Sequence, residues 1–139
     1  MNKLNQLEDM QLEDTQSEQT PPGAVMPLRG GLPALKQRRV AEFIEEHLAE
    51  EISLATLAVL VNLSLCHFAR AFKQSFGAPP HHYHMARRMD RARSLLQRSA
   101  LSVTEIGMQI GFRETSSFTR AFRKLTGLTP TEYRRHRED

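Results

Sequence analysis

The chain has 139 residues and a single cysteine, Cys66, so it can form no internal disulfide. That fits a reducing, cytoplasmic compartment. No apolar run approaches the roughly 18 residues needed to span a bilayer, and no signal-like apolar stretch follows the N-terminus. The parts of an enzyme are missing too. There is no plausible pair of catalytic carboxylates, no glycine-rich phosphate loop, and no nucleophile with a base nearby. His81, His82 and His84 invite a metal reading. Their spacing lacks the i, i+4 pair that puts two imidazoles on one helix face, and no thiol or carboxylate lies close by, so neither a metal nor another cofactor is expected. Lastly, no segment alternates with period two for long enough to form a strand.

The sequence does contain a repeated phrase. Phe68 to Tyr83 reads FARAFKQSFGAPPHHY, and Phe118 to Tyr133 reads FTRAFRKLTGLTPTEY. Charge is unevenly spread around it. Residues 1–35 carry a net charge of −3 and residues 36–139 a net charge of +6. A basic body favours a polyanionic partner, although an ordinary solvated basic surface gives the same balance. Residues 1–34 are acidic and rich in Gln, ending in a stretch dense in Pro and Gly. They are expected to be a disordered segment and linker, with a short helix conceivable around Leu4, Leu7 and Met10.

Helical periodicity takes over from residue 35. Val40, Phe43, Ile44, His47 and Leu48 mark one face of a helix near 35–50. Ser53 caps a short helix, Leu54 to Val61, and Ser64 caps the next, whose apolar stripe is Leu65, Phe68, Phe72 and Phe76, with Gly77 as its stop. A long helix is expected from about residue 80 to 98. Ser102-Val-Thr-Glu105 is a capping box opening another short helix. After the turn Gly111 to Glu114, a helix from Thr115 or Ser116 should point Phe118, Ala121, Phe122 and Leu125 inward and stop at Gly127. Thr129-Pro-Thr-Glu132 is a second capping box, starting a final short helix. The expectation is an all-α fold of seven helices.

Each copy thus reads as a short helix, a turn and a longer helix, the first over about 54–76 and the second over about 103–126. A small residue, Ala58 or Gly107, sits where the two axes cross. This is a helix-turn-helix, in which the second helix enters the major groove of DNA. The outward faces hold Cys66, His67, Arg70, Lys73 and Gln74 in one copy and Ser116, Thr119, Arg120 and Arg123 in the other, with no carboxylate among them. A solvated helix would normally mix signs. The connecting helix would span roughly 27 Å, near the roughly 34 Å of one DNA turn, so that one chain could place both helices in successive major grooves.

These residues resemble the DNA-binding domain of the AraC/XylS family of bacterial transcription regulators. The similarity covers about residues 36–137 and is densest in IGMQIGFRETSSFTRAFRKLTGLTPTEYR, Ile106 to Arg134. It implies an AraC-type domain over 35–139 with a linker helix at about 80–98, double-stranded promoter DNA as partner, transcriptional control from the nucleoid, contact with RNA polymerase, no membrane association, and a monomer on DNA. By family position, base contacts fall on Cys66, Ala69 and Arg70 in the first copy and on Thr115, Ser116, Thr119 and Arg120 in the second. Ser64, His67, Lys73, Arg113, Arg123 and Lys124 suit phosphates. Four features depart from the family pattern. Gly107 stands for the usual Ala, at a cost of about 1 kcal/mol in helix propensity. Glu114 stands for Asp, Pro79 for a Ser or Thr cap, and the small Cys66 and Ala69 offer little hydrogen bonding, which shifts base reading toward the second copy.

Two other readings stay open on the residues alone. The repeated Arg70 and Arg120 could serve structure rather than recognition. The domain could also bind protein, or nucleic acid without sequence choice, through its basic face. Fewer than 40 residues precede the domain, too few for an effector-binding domain, so a stand-alone unit or a piece of a longer regulator is expected.

Overall fold

The computed structural model describes residues 30–137; the helix entertained around residues 4–10 lies outside them. Among the described residues seven helices occur in order: α1 (Ala34–Glu46), α2 (Leu54–Leu60), α3 (Leu65–Phe76), α4 (Pro80–Arg98), α5 (Val103–Gln109), α6 (Thr115–Thr126) and α7 (Pro130–Arg137). No strand forms among the described residues. The chain divides into two compact units, and α4 contributes to both, its residues through His84 to the first and those from Met85 to the second.

Local sequence chemistry sets the helix boundaries. The Ser53 hydroxyl accepts the Thr56 N–H at 3.1 Å, and Ser64 accepts that of His67 at 3.2 Å. Ser102 and Glu105 complete a capping box, with the Glu105 N–H on Ser102 Oγ at 3.0 Å and the Ser102 N–H on Glu105 Oε1 at 2.9 Å. Thr129 and Glu132 repeat it at 3.1 and 2.9 Å. Gly77 and Gly127 end α3 and α6 in the left-handed region, at φ 77° and 85°. Each donates its N–H to the carbonyl four residues back, the single-bond left-handed stop.

The short helices of the two copies end alike. Asn62 N–H bonds Val59 O and Leu63 N–H bonds Ala58 O; Gly111 N–H bonds Met108 O and Phe112 N–H bonds Gly107 O. This 5→2 and 6→1 pair is a Schellman motif, with Asn62 (φ 59°) and Gly111 (φ 107°) at its left-handed position.

The repeated letters build two similar cores. In the first unit α2 packs on both α1 and α3, burying Val40, Ile44, Leu54, Leu57, Phe68 and Phe72. The Phe72 and Tyr83 rings meet edge-on at 5.5 Å. In the second, Met89, Ala92, Leu96, Ile106, Ile110, Phe118 and Phe122 form the core, and Phe122 meets Tyr133 edge-on at 5.4 Å. Two arginines serve as backbone clamps in the second unit. Arg88 donates to Leu48 O at 2.8 Å and Glu50 O at 3.0 Å, and Arg134 donates to Leu96 O and Ser99 O at the end of α4.

Three expectations need correction. Helix α1 stops at Glu46 rather than near residue 50, so Leu48 is buried from the connection after it. Leu125, expected inward, is 51% exposed, because the inward stripe of α6 is carried by Phe118 and Phe122. The end of the expected linker is docked instead of free. Leu32 is fully buried and donates its N–H to Ser75 Oγ of α3 at 2.6 Å.

No single helix among the described residues is long and apolar enough to cross a membrane; α2 and α3 would pass together on length and composition, but bend by 86° at their break.

The capping boxes make an acid-sensitivity prediction. The Glu105 carboxyl is held below its ordinary value first by the Ser102 backbone N–H and then by the Ser102 hydroxyl, and Glu132 likewise by Thr129. A depressed carboxyl supports the fold fully above its unfolded value, about 4.3, and that support is lost as pH falls through the lower folded value. The Glu105→Gln, Glu132→Gln double variant should therefore be less stable than the parent at pH 6. The gap in urea midpoints should close toward pH 3, and a gap independent of pH would contradict the assignment.

Candidate nucleic-acid interface

The two helix-turn-helix copies share a scaffold and differ on the outer face of the second helix. Between α2 and α3 the axes turn by 86°, close to the lower end of the range for this motif. Between α5 and α6 the approach depends on Gly107. A Cβ there would lie 3.0–3.2 Å from the Phe118 side chain. The small residue expected at the crossing is thus needed for contact, and its lower helix propensity is offset by letting Phe118 close onto α5.

In α6, Ser116, Arg120, Arg123 and Lys124 are exposed and Thr115 and Thr119 half-buried. These six residues line one open groove of about 650 Å³. The groove contains three cations and three hydroxyls and no carboxylate. Among the described residues, no hydrogen bond or ion pair engages the heads of Arg120 or Lys124. Arg113 is exposed in the turn before α6. Glu114 occupies the N-cap of α6 and makes no side-chain cap bond, so the departure from Asp leaves that start uncapped. Thr115, the first residue of α6, is held from the neighbouring helix, with Thr104 Oγ1 at 2.8 Å from Thr115 Oγ1. Nothing in the motif spacing singled out Thr104; two hydroxyl residues flanking the turn at a separation of eleven were the available signal.

The first copy is different. Lys73 and Gln74 are exposed, Ser64 is exposed at the N-cap, and Cys66, His67 and Arg70 are half-buried. Ala69 is only 1% exposed. It lies on the inward stripe beside Phe68 and Phe72, so its methyl is closed to a base edge, and the expectation that it reads DNA is withdrawn. Arg70 and Arg120 occupy matching places in the repeat but not matching states: Arg70 is engaged within the protein, while Arg120 is exposed. The structural role entertained for both arginines therefore has support at Arg70 alone. Among the described residues no three His, Cys, Asp or Glu side chains converge as a metal site.

Residues 57–136 match the family described as a helix-turn-helix domain. A solved transcriptional regulator with an AraC-type DNA-binding domain from Chromobacterium violaceum is 32% identical, over 75% of this chain and 93% of that one, with a TM-score of 0.69. The chain belongs to the AraC-type helix-turn-helix family. The AraC-type match agrees with the all-α, two-motif reading of the sequence. The DNA-binding domain of AdpA, solved in complex with a target DNA, is 31% identical over 73% of this chain and 91% of that one, with a TM-score of 0.67. LumQ of Photobacterium leiognathi, a probable transcriptional regulator, is 35% identical over 94 residues, which span 68% of this chain and 38% of LumQ. The AraC-type domain is a DNA-binding module and not an enzyme.

Proposed function

We propose that the protein regulates transcription by placing α3 and α6 in successive major grooves of an asymmetric promoter site. The carboxylate-free groove on α6, lined by Thr115, Ser116, Thr119, Arg120, Arg123 and Lys124, is the observation that carries this reading. Hydroxyls and an arginine near a helix N-terminus suit base edges, and cations further along suit phosphates. Thr115, Ser116, Thr119 and Arg120 read bases in the second copy, with Cys66 and Arg70 the smaller contribution from the first. Ser64, His67, Lys73, Arg113, Arg123 and Lys124 hold the backbone. One chain carries both helices, so it acts on DNA as a monomer. It works on the nucleoid in the cytoplasm and meets RNA polymerase at the promoter. The DNA-binding domain of AdpA, solved in complex with a target DNA, supports DNA as the partner.

The test is a pair of variants measured against a site selected from random duplexes. Arg120→Ala should cost about 1–3 kcal/mol and relax preference at one position. Lys124→Ala should weaken binding to every sequence and lower the salt slope by about one. Equal, sequence-blind losses from both would favour a nucleic-acid binder without sequence choice and overturn the reading.

A further inference from the structure

We propose that Thr104, on the scaffold helix α5, is a positioning residue that sets how Thr115 reads DNA; this rests on the reading that α6 is a base-reading helix. Thr104 Oγ1 and Thr115 Oγ1 lie 2.8 Å apart, and either can be the donor. Thr104 itself is exposed, and Thr115 half-buried at the edge of the α6 groove.

The physical case starts from threonine's rotamers. Thr115 is the first residue of α6, with no preceding helical turn beneath its side chain, and rotation about χ1 exchanges the places of its methyl and hydroxyl. An unheld Thr115 would present its methyl and hydroxyl in more than one arrangement. The bond to Thr104 selects one. It also partitions the protons. Each hydroxyl has one O–H and two acceptor sites, and a pair uses one O–H internally. When Thr104 donates, Thr115 keeps its proton for a base acceptor. When Thr115 donates, it can only accept, as from a cytosine or adenine amino group. The scaffold residue thus governs which base edges Thr115 can satisfy without touching them.

The repeat supplies an internal contrast. At the matching places in the first copy stand Ala55 and Leu65, which have no hydroxyl. A bond needed to hold α6 against α5 would be expected in both copies. It occurs only in the copy whose outer face is rich in hydroxyls.

The experiment selects bound duplexes from a random library with the whole chain, for the parent, Thr104→Val, Thr104→Ser and Thr115→Val, with Arg120→Ala as reference. Thr104→Val keeps shape and removes the hydroxyl. It should leave the thermal midpoint near that of the parent, yet shift base discrimination at one or two adjacent pairs by about 3- to 10-fold, at the pairs altered by Thr115→Val. Thr104→Ser should restore the parental preference. The proposal is overturned if Thr104→Val selects the parental duplexes, if Thr104→Ser behaves as Val does, or if both variants only weaken binding uniformly. Arg120→Ala separates the levels. Altered preference there with an unchanged Thr104→Val profile sinks the positioning role alone, whereas unchanged preference in every variant sinks the base-reading assignment and the positioning role with it.

Discussion

Gly111→Ala is expected to destabilise the second unit by about 3 kcal/mol or more, combining backbone strain with overpacking. Gly111 has φ +107°, beyond the left-handed basin that L side chains tolerate. A Cβ would sit 2.6 Å from Ala49 O and 2.9 Å from Arg88 Cζ. Neither neighbour can give way cheaply. Ala49 O is backbone, and the Arg88 guanidinium is pinned by its bonds to Leu48 O and Glu50 O. Gly127→Ala is the matched control. Its φ of +85° carries strain, but the added Cβ would meet nothing within 4 Å. That variant should lose about 1–2 kcal/mol, the cost of a left-handed L residue. Urea unfolding of the two variants gives the comparison. Equal losses would mean that the segment at 48–50 yields, and that glycine serves the turn alone.

The matching turn of the first copy shows why this position was only partly legible. Asn62 adopts the same Schellman geometry at φ 59°, where Asn is tolerated, so the repeat announces a left-handed residue in both turns. It does not announce that Gly111 must also admit an arginine from α4 and a carbonyl from beyond α1. The arginine, Arg88, is set in place by bonds to Leu48 O and Glu50 O, 40 and 38 positions away, and no periodicity encodes such contacts. Elements governed by neighbours in sequence were readable: the Ser53, Ser64 and Ser102 caps, the glycine stops, and the Phe and Tyr positions of both cores. Outward faces were less so. A helical wheel places Ala69 and Thr119 identically, yet the first is buried and the second half-exposed. A side chain as small as Ala69 carries no pattern of its own to say whether the stripe beside it extends one position further. Leu125 fails in the opposite sense, because apolar identity marks a candidate for burial while the neighbouring elements decide whether it is covered. The likeness between copies also concealed a difference in the anchoring of the chain before α1, where Leu32 ties the end of a polar segment to α3 through a single buried leucine.

Phe118→Ala is the second large effect, and it links packing to recognition. Phe118 is fully buried, 5.6 Å from the Phe112 ring and 5.8 Å from that of Phe122. Truncating it should cost about 3–5 kcal/mol, transfer energy plus cavity. A loss of that size threatens a domain with ordinary marginal stability, so Phe118→Leu provides a milder version for quantitative work. The informative measurement is the coupling to Gly107. In the parent, Gly107→Ala gains about 1 kcal/mol of helix propensity but forces a Cβ to within 3.0–3.2 Å of a ring already backed by two others, so the net change should be unfavourable. With the ring shortened or removed, the same substitution should turn stabilising by up to about 1 kcal/mol, its propensity gain no longer opposed. That reversal of sign in a double-mutant cycle is what direct contact predicts. A Gly107→Ala effect that keeps one sign across all three backgrounds would show that the close approach of α5 and α6 is not what the glycine serves. The same cycle read by DNA affinity should follow stability only in part. Whatever shifts Phe118 also shifts the start of α6, which carries Thr115, Thr119 and Arg120, so affinity for the selected site should fall even under conditions where the variants remain folded.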